Sequence, residues 1–392
     1  MLVRTFLNIF ILISINSGLA NGKTLYVNFS FFSQPLQVYC DQSMDIDLSA
    51  EISDTTISDF YNQLDNSNYR TTFNELQAYK EAFQLNDWGF YLLLRQSGEA
   101  LFTDKSKNYQ TLFNWFLLIK AGYRTKVSYL KDLVLLSVYT KDKVYDLPSK
   151  EFEEGWMVDI TQHYQPALND VLAAQQYESV LNYYGKPFSF QLEQPPAFPQ
   201  AITLQKKLSF RYNSLLYNLE VRTDQLLMHF MYQYPELSPL RHSYIPLSEA
   251  AKQSLFPALK RMIRNKDHPE SIRLLLSFLR QSFNYKEDKD AYNSDNITFS
   301  PEETIFYDYS DCEDRSVLFA YLLRELLNVE VLIVEYQNHT MVAIELEQAI
   351  GIPILYNNRS YTVCDPTGPS DQLNIGEYPD FVEPSQYEVI EN

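Results

Sequence analysis

Apolar positions from 317 to 327 recur at helical spacing, and the segment Asp308-Tyr309-Ser310-Asp311-Cys312-Glu313-Asp314-Arg315-Ser316 leads into them. Asp311 suits an N-cap, with Asp314 at the third helical position of a capping-box-like arrangement, so Cys312 is expected as the first helical residue. After this helix, residues 329–335 alternate as a strand, Tyr336-Gln337-Asn338 turns, and residues 339–344 begin a second strand that runs beside it. A third strand over 359–365 is closed by Pro366, which has no N–H to give a ladder. Upstream, residues 204–221 alternate like paired strands, and a helical pattern begins at Ser248.

The pattern occurs twice. Thr111-Leu112-Phe113-Asn114-Trp115-Phe116-Leu117 superposes without gaps on Val317-Leu318-Phe319-Ala320-Tyr321-Leu322-Leu323, an offset of 206. At that offset Gly122 meets Asn328, both suited to a helix C-terminus, and residues 133–139 meet 339–345. Leu94-Arg95-Gln96-Ser97 recurs as Leu279-Arg280-Gln281-Ser282, and Val144-Tyr145-Asp146 resembles Val363-Cys364-Asp365. Farther upstream, Phe31-Phe32-Ser33-Gln34-Pro35-Leu36 resembles Tyr183-Tyr184-Gly185-Lys186-Pro187-Phe188. The expectation is two copies of one α+β unit, residues 23–170 and 177 to the end, the second lengthened over 204–244; the alternative is chance similarity between two helix-then-strand pieces. Within the second copy, 177–247 reads as a β-rich connecting region, reached through the extended Gln194-Pro195-Pro196-Ala197-Phe198-Pro199, and 248–392 as the domain that carries chemistry.

Composition narrows the setting. A chain of 392 residues, 45% hydrophobic and 15% aromatic, can bury large cores and should hold two or three domains. Residues 1–20 run from Arg4 through an apolar stretch to Ser17-Gly18-Leu19-Ala20, the layout of a secretory signal peptide, so a secreted or periplasmic protein is expected, with no membrane span after cleavage. Removing that segment takes away one Arg and no acid, moving the formal charge from −18 to −19, a sign that argues against nucleic acid as a partner. The cysteines are Cys40, Cys312 and Cys364, an odd number that leaves at least one thiol outside any intramolecular pair.

Cys312 is the thiol with a chemical setting. A helix N-terminus lowers a thiol pKa, although Glu313 and Asp314 oppose the effect, and a thiolate is the nucleophile of cysteine chemistry. His339 lies 27 residues on at a strand end, and Asp365 a further 26 on at another, so each comes from its own element. Together Asp311-Cys312-Glu313-Asp314-Arg315-Ser316-Val317-Leu318-Phe319, the isolated His339 and Val363-Cys364-Asp365-Pro366-Thr367 resemble the transglutaminase-like superfamily, over residues 299–367. The resemblance implies a papain-like cysteine peptidase core, a helix bearing Cys packed on an antiparallel sheet bearing His and Asp. It further implies that Cys312 attacks an amide or ester carbonyl to give a thioester, that His339 shuttles the proton, and that Asp365 orients the imidazole. The Cys312 amide would form half of an oxyanion hole, with Tyr307 or Tyr309 as a candidate second donor.

Ser310 stands where many members of that superfamily place glycine, and Thr-Met follows His339 where an aromatic is usual. In the first copy the offset of 206 sets Ser106 opposite Cys312 and Leu133 opposite His339, with Asp146 kept opposite Asp365, so that copy reads as catalytically dead. Cys364 and Cys40 read as packing residues, with a disulfide between them allowed but unforced. His163, His229, His242 and His268 are isolated, and a zinc site built on Cys312, His339 and Asp365 lacks the usual ligand spacing and an evident fourth ligand. No motif suggests nucleotide, flavin or haem. The sequence therefore points to a cofactor-independent thiol enzyme acting on protein or peptide amides, cell-wall peptide included, as peptidase, amidase or transglutaminase. The rival reading is a non-catalytic binding or scaffold protein with an inactive core. Residues 288–298, rich in Asn, Asp and Ser, would be a substrate-side lip in the first case and a plug in the second.

Overall fold

A computed structural model describes residues 25–161, 173–177, 184–294, 297–367 and 373–391. The expected signal segment and the Tyr183 end of one sequence match lie outside them. The chain is mixed α+β with several sheets. It opens with the hairpin β1 (Leu25–Phe31) and β2 (Gln34–Cys40), followed by helices α1 (Asp54–Asp65), α2 (Tyr69–Ala82), α3 (Asp87–Leu101) and α4 (Lys107–Lys120). Strands β3 (Thr125–Leu130), β4 (Leu133–Thr140), β5 (Ser149–Phe152), β6 (Gly155–Asp159) and β7 (Gln175–Gln176) come next.

A second hairpin, β8 (Thr203–Tyr212) and β9 (Leu215–Asp224), leads to α5 (Gln225–Met231), α6 (Pro239–His242), α7 (Glu249–Ile263) and α8 (His268–Ser282). Short pieces follow: β10 (Asn284–Tyr285), α9 (Asp288–Tyr292), α10 (Pro301–Phe306) and β11 (Tyr309–Ser310). The chain then forms α11 (Cys312–Leu327), β12 (Val331–Tyr336), β13 (His339–Glu345), β14 (Ile354–Tyr356), β15 (Arg359–Cys364) and β16 (Glu388–Val389).

The two five-stranded sheets have one strand order, β5-β6-β4-β3-β7 and β14-β15-β13-β12-β16, and every neighbouring pair in both is antiparallel. Their registers agree as well: Leu130 pairs with Leu133 and Ser128 with Gln176, while Tyr336 pairs with His339 and Val334 with Val389. The hairpins also correspond. Both turn through two residues of positive φ, Phe32 (44°) and Ser33 (63°) in the first, Asn213 (48°) and Ser214 (64°) in the second, the geometry that matches strand twist. Asn tolerates it; Phe32 holds it because its ring is buried against Phe31, Phe198 and Phe230.

Helices α2 and α3 pack on β2 and β1, as α7 and α8 pack on β9 and β8. The repeated Leu-Arg-Gln-Ser words mark this equivalence: Gln96 Nε2 donates to Ser30 O at 2.6 Å and Gln281 Nε2 to Arg211 O at 2.9 Å, each acceptor being the second residue before its hairpin turn.

This alters the organisation expected between the halves. Residues 203–224 do not connect two units; they form the hairpin that stands against α7 and α8 as β1–β2 stands against α2 and α3. What crosses between halves is the next segment. Leu226, Leu227, Met228, Phe230, Met231, Tyr234 and Leu237 are buried in the first core, whereas Leu240 and Leu247 belong to the second. The second core centres on α11, where residues 314–323 are all buried and Val317, Leu318, Phe319 and Leu322 meet Ile333, Val342 and Ile344. Cys40 packs on the first core and Cys364 lies in the second, both free, so the disulfide allowed by sequence is not formed. Among the described residues, no helix is long and apolar enough to cross a membrane.

Candidate functional site

The start of α11 is fixed by two carboxylates. Asp311, extended at φ −103°, accepts the amides of Glu313 (2.9 Å) and Asp314 (3.2 Å), and Asp314 Oδ2 accepts the Asp311 amide at 3.1 Å. The Cys312 amide is the first-turn donor that the Asp311 carboxylate does not take. One turn on, Ser316 Oγ donates to Thr340 O at 3.0 Å, and the Thr340 backbone amide lies near enough to the Cys312 sulfur to favour its thiolate. The half-buried thiol therefore lies against the first residues of β13, beside His339.

His339 opens β13 opposite Tyr336, and its Nε2 lies 3.3 Å from Asp365 Oδ2. Asp365 follows β15 directly. Its Oδ1 accepts the Thr367 amide at 2.8 Å, its Oδ2 faces His339, and its carbonyl accepts Arg280 Nε (3.1 Å) and Nη2 (2.6 Å). Arg280 Nη1 also donates to Leu373 O at 2.8 Å. Buried Arg315 ties the helix to its surroundings through Ser310 Oγ (3.2 Å), Phe283 O (2.7 Å) and Thr367 O (3.4 Å). Cys312, His339 and Asp365 thus stand together at one end of the second sheet, each supplied by a different element.

The electrostatics run against one expectation. The Cys312 thiol is pushed up to about 12, by burial first and then by Asp311; the Thr340 amide pulls the other way, and Glu313 and Glu287 add smaller lifts. Desolvation and three carboxylates outweigh the helix N-terminus, so the resting thiol is protonated. The same crowding raises neighbouring acids. Burial and Asp311 lift Glu313 to about 7, and Asp314, fully buried beside Asp311 and Asp288, lies well above the ordinary carboxylate range.

The stretch after β10 is folded rather than open. Tyr292 of α9 donates to Tyr309 O at 2.8 Å, Asp288 accepts the Ile297 amide at 2.6 Å, and Thr298 Oγ1 donates to Glu313 at 3.2 Å. The Tyr307 ring stacks on Phe299 with centroids 4.7 Å apart, and the Lys286 amine lies 5.1 Å over the Tyr309 ring.

In the first half the equivalent positions carry no such set. Ser106 is the N-cap of α4, so Lys107 occupies the helical position of Cys312, one residue from the position that the sequence offset selects. Leu133 holds the place of His339. Asp146 is not the counterpart of Asp365: it lies in the loop before β5, where its Oδ1 accepts the Glu236 amide at 2.8 Å. Ile160 donates to Leu136 O just after β6, as Cys364 pairs with Val342, and this sets Thr161 where Asp365 stands. The short apolar-apolar-Asp match misled because it set residues 144–146, in the loop before β5, against the end of β15, whose counterpart by strand order and register is β6.

Sequence reasoning did not single out Arg280, Arg315, Thr340 or Phe381. Arg280 had a signal, its place in the repeated Leu-Arg-Gln-Ser word; the others sit in contexts visible only once α11 and β13 are packed together.

No family model matches the chain, and neither a curated protein nor a solved structure matches it.

Proposed function

We propose that the protein is an exported, cysteine-dependent acyl-transfer enzyme with a transglutaminase-like core, present as two copies of which the first is inactive. The common strand order and register of the two sheets support the duplication, and the absence of Cys, His and Asp at the matched positions of the first half supports its inactivity. The observation that carries the activity is the junction of α11 and β13, where the Cys312 sulfur meets the Thr340 amide beside a His339 whose Nε2 faces Asp365 at 3.3 Å.

With Nε2 turned to the carboxylate, Nδ1 is the nitrogen left for the thiol. Because that thiol rests protonated, His339 acts as general base while the sulfur attacks the carbonyl, rather than waiting beside a preformed thiolate. The proton moves from sulfur to His339, which is stabilised as a cation by Asp365; the carbonyl oxygen, now anionic, takes the Cys312 amide. Collapse expels an amine that carries off the proton, leaving a thioester for water or a second amine to cleave.

A non-catalytic, binding role has one observation in its favour, the raised thiol pKa, which an inert buried cysteine shares. Acylation separates the two: p-nitrophenyl acetate should add an acetyl group to the peptide containing Cys312 in the native protein, and the added mass should need His339.

A further inference from the structure

Phe381 is the one exposed phenylalanine among the described residues, at 65%, and its ring stands edge-on to the His339 imidazole with centroids 5.4 Å apart and planes at 76°. It does not hang on a loose tip. Its neighbour Val382 is buried against Met341 of β13 and Val363 of β15, and the Val382 amide donates to Pro379 O at 2.9 Å. The backbone thus holds an exposed apolar ring edge-on to the base of the candidate triad.

On the thiol's side two more rings are exposed: Tyr285 at 46% and Tyr309 at 40%. Tyr285 pairs in register with Ser310, two residues before Cys312, and the Arg315 guanidinium lies 5.4 Å from its ring centre. Tyr309 is held by the Tyr292 hydroxyl on its carbonyl. Asp311, Glu313 and Glu287 all act on the thiol, while Arg315 is buried among carbonyl and hydroxyl acceptors and the Lys286 amine lies over the Tyr309 ring.

We propose that Phe381 at His339, together with Tyr285 and Tyr309 on the thiol's side, forms a subsite for an aromatic side chain of a peptide acyl donor, placed next to the carbonyl that Cys312 attacks. This rests on the acyl-transfer reading and adds a substrate class to it. A phenyl ring exposed beside reacting atoms is covered when such a side chain docks, and edge-to-face contact with another ring adds direction. A carboxylate beside the thiol would meet Asp311, Glu313 and Glu287, so acidic acyl donors are disfavoured.

The test uses the full chain and three probes of Cys312, with peptide mass locating the label and each rate normalised to that of the same probe with glutathione. N-Benzyl iodoacetamide should outpace iodoacetamide by about tenfold, the scale set by part-burial of a phenyl ring, and iodoacetate should be slower than either. Phe381→Ala should erase the benzyl preference and Phe381→Trp keep it; an exposed ring makes both substitutions compatible with folding, and an unchanged far-ultraviolet spectrum and melting temperature of each variant check that. Equal normalised rates for the benzyl and parent probes in the native chain, or a preference that survives Phe381→Ala, would overturn the subsite while leaving the reactive thiol standing. Labelling by none of the probes would overturn both.

Discussion

Arg280 shows how a residue outside the triad sets its geometry. Its fork grips the Asp365 carbonyl with two nitrogens and Leu373 O with the third, and so fixes the carboxylate that faces His339. Arg95, its counterpart in the repeated word, instead reaches Gln233 Oε1 at 3.2 Å, in the half where Thr161 replaces the aspartate. The guanidinium therefore positions Asp365, and Lys, a single-point donor, should not replace it. Arg280→Lys should slow acylation of Cys312 by about tenfold and shift its pH profile, while the far-ultraviolet spectrum stays native. A rate and profile like those of the parent would show that Asp365 is held without the fork. The places of Cys312, His339 and Asp365 on their elements were legible in the sequence because each sits beside a strong local signal: an N-cap, a strand start after a two-residue turn, a strand end before proline. The protonation state of the thiol was not, since it depends on Glu287, brought in by α9's N-terminal cap, and on burial that appears only after packing.

Among the elements, α11 does the most. Its cap box places Cys312, its buried face fills the second core, and Ser316 locks it to β13. Asp311 has two opposed effects there, holding the helix start and lifting the thiol pKa. Asp311→Asn keeps a capping oxygen and removes the charge, so the midpoint of Cys312 alkylation against pH should move down; Asp311→Ala should cost about 1 kcal/mol of stability through the lost cap. An alkylation midpoint unmoved in Asp311→Asn would mean that burial alone sets the thiol. Helix and strand periodicity predicted α11, β12, β13 and β15 well, because each is long and bounded by turn residues. The two-residue strands β7, β10, β11 and β16 carry no periodicity of their own; pairing partners create them. The hairpin β1–β2 was matched to the wrong upstream segment for a related reason: its Phe32-Ser33 turn lacks the Asn or Gly that marks such turns, so nothing in the words flagged its likeness to Asn213-Ser214.

At the scale of the whole molecule, the halves are joined through Glu236. Its amide donates to Asp146, its carbonyl accepts the Tyr145 amide at 2.9 Å, and its Oε1 accepts Thr298 N at 3.0 Å; Thr298 in turn holds Glu313, next to Cys312. Burial raises the Glu236 carboxyl to about 8, and lifts Glu302 and Glu313 to about 7 and Asp159 to about 6. The fold thus prefers these acids neutral: their stabilising contribution is complete below the unfolded carboxylate pKa and is lost as pH rises through the folded values. Melting temperature should fall between pH 5 and pH 8, and Glu236→Gln, which keeps the acceptor for Thr298, should flatten part of that slope. A melting temperature that climbs over this range would contradict the burial of these groups.

Acylation of Cys312 by p-nitrophenyl acetate at pH 7, in the native chain and in His339→Ala, tests the central claim most directly. A thiol at about 12 is ionised at pH 7 in only about one molecule in 10⁵, so an unassisted sulfur is nearly silent and the base's contribution is easily read. The expected result is an acetyl mass on the Cys312 peptide that hydroxylamine removes, as it removes a thioester, and a rate on the order of a hundredfold lower in His339→Ala. Acetyl found only elsewhere on the native chain, or a Cys312 rate unchanged by the loss of His339, would contradict it and leave the binding role as the account of this fold.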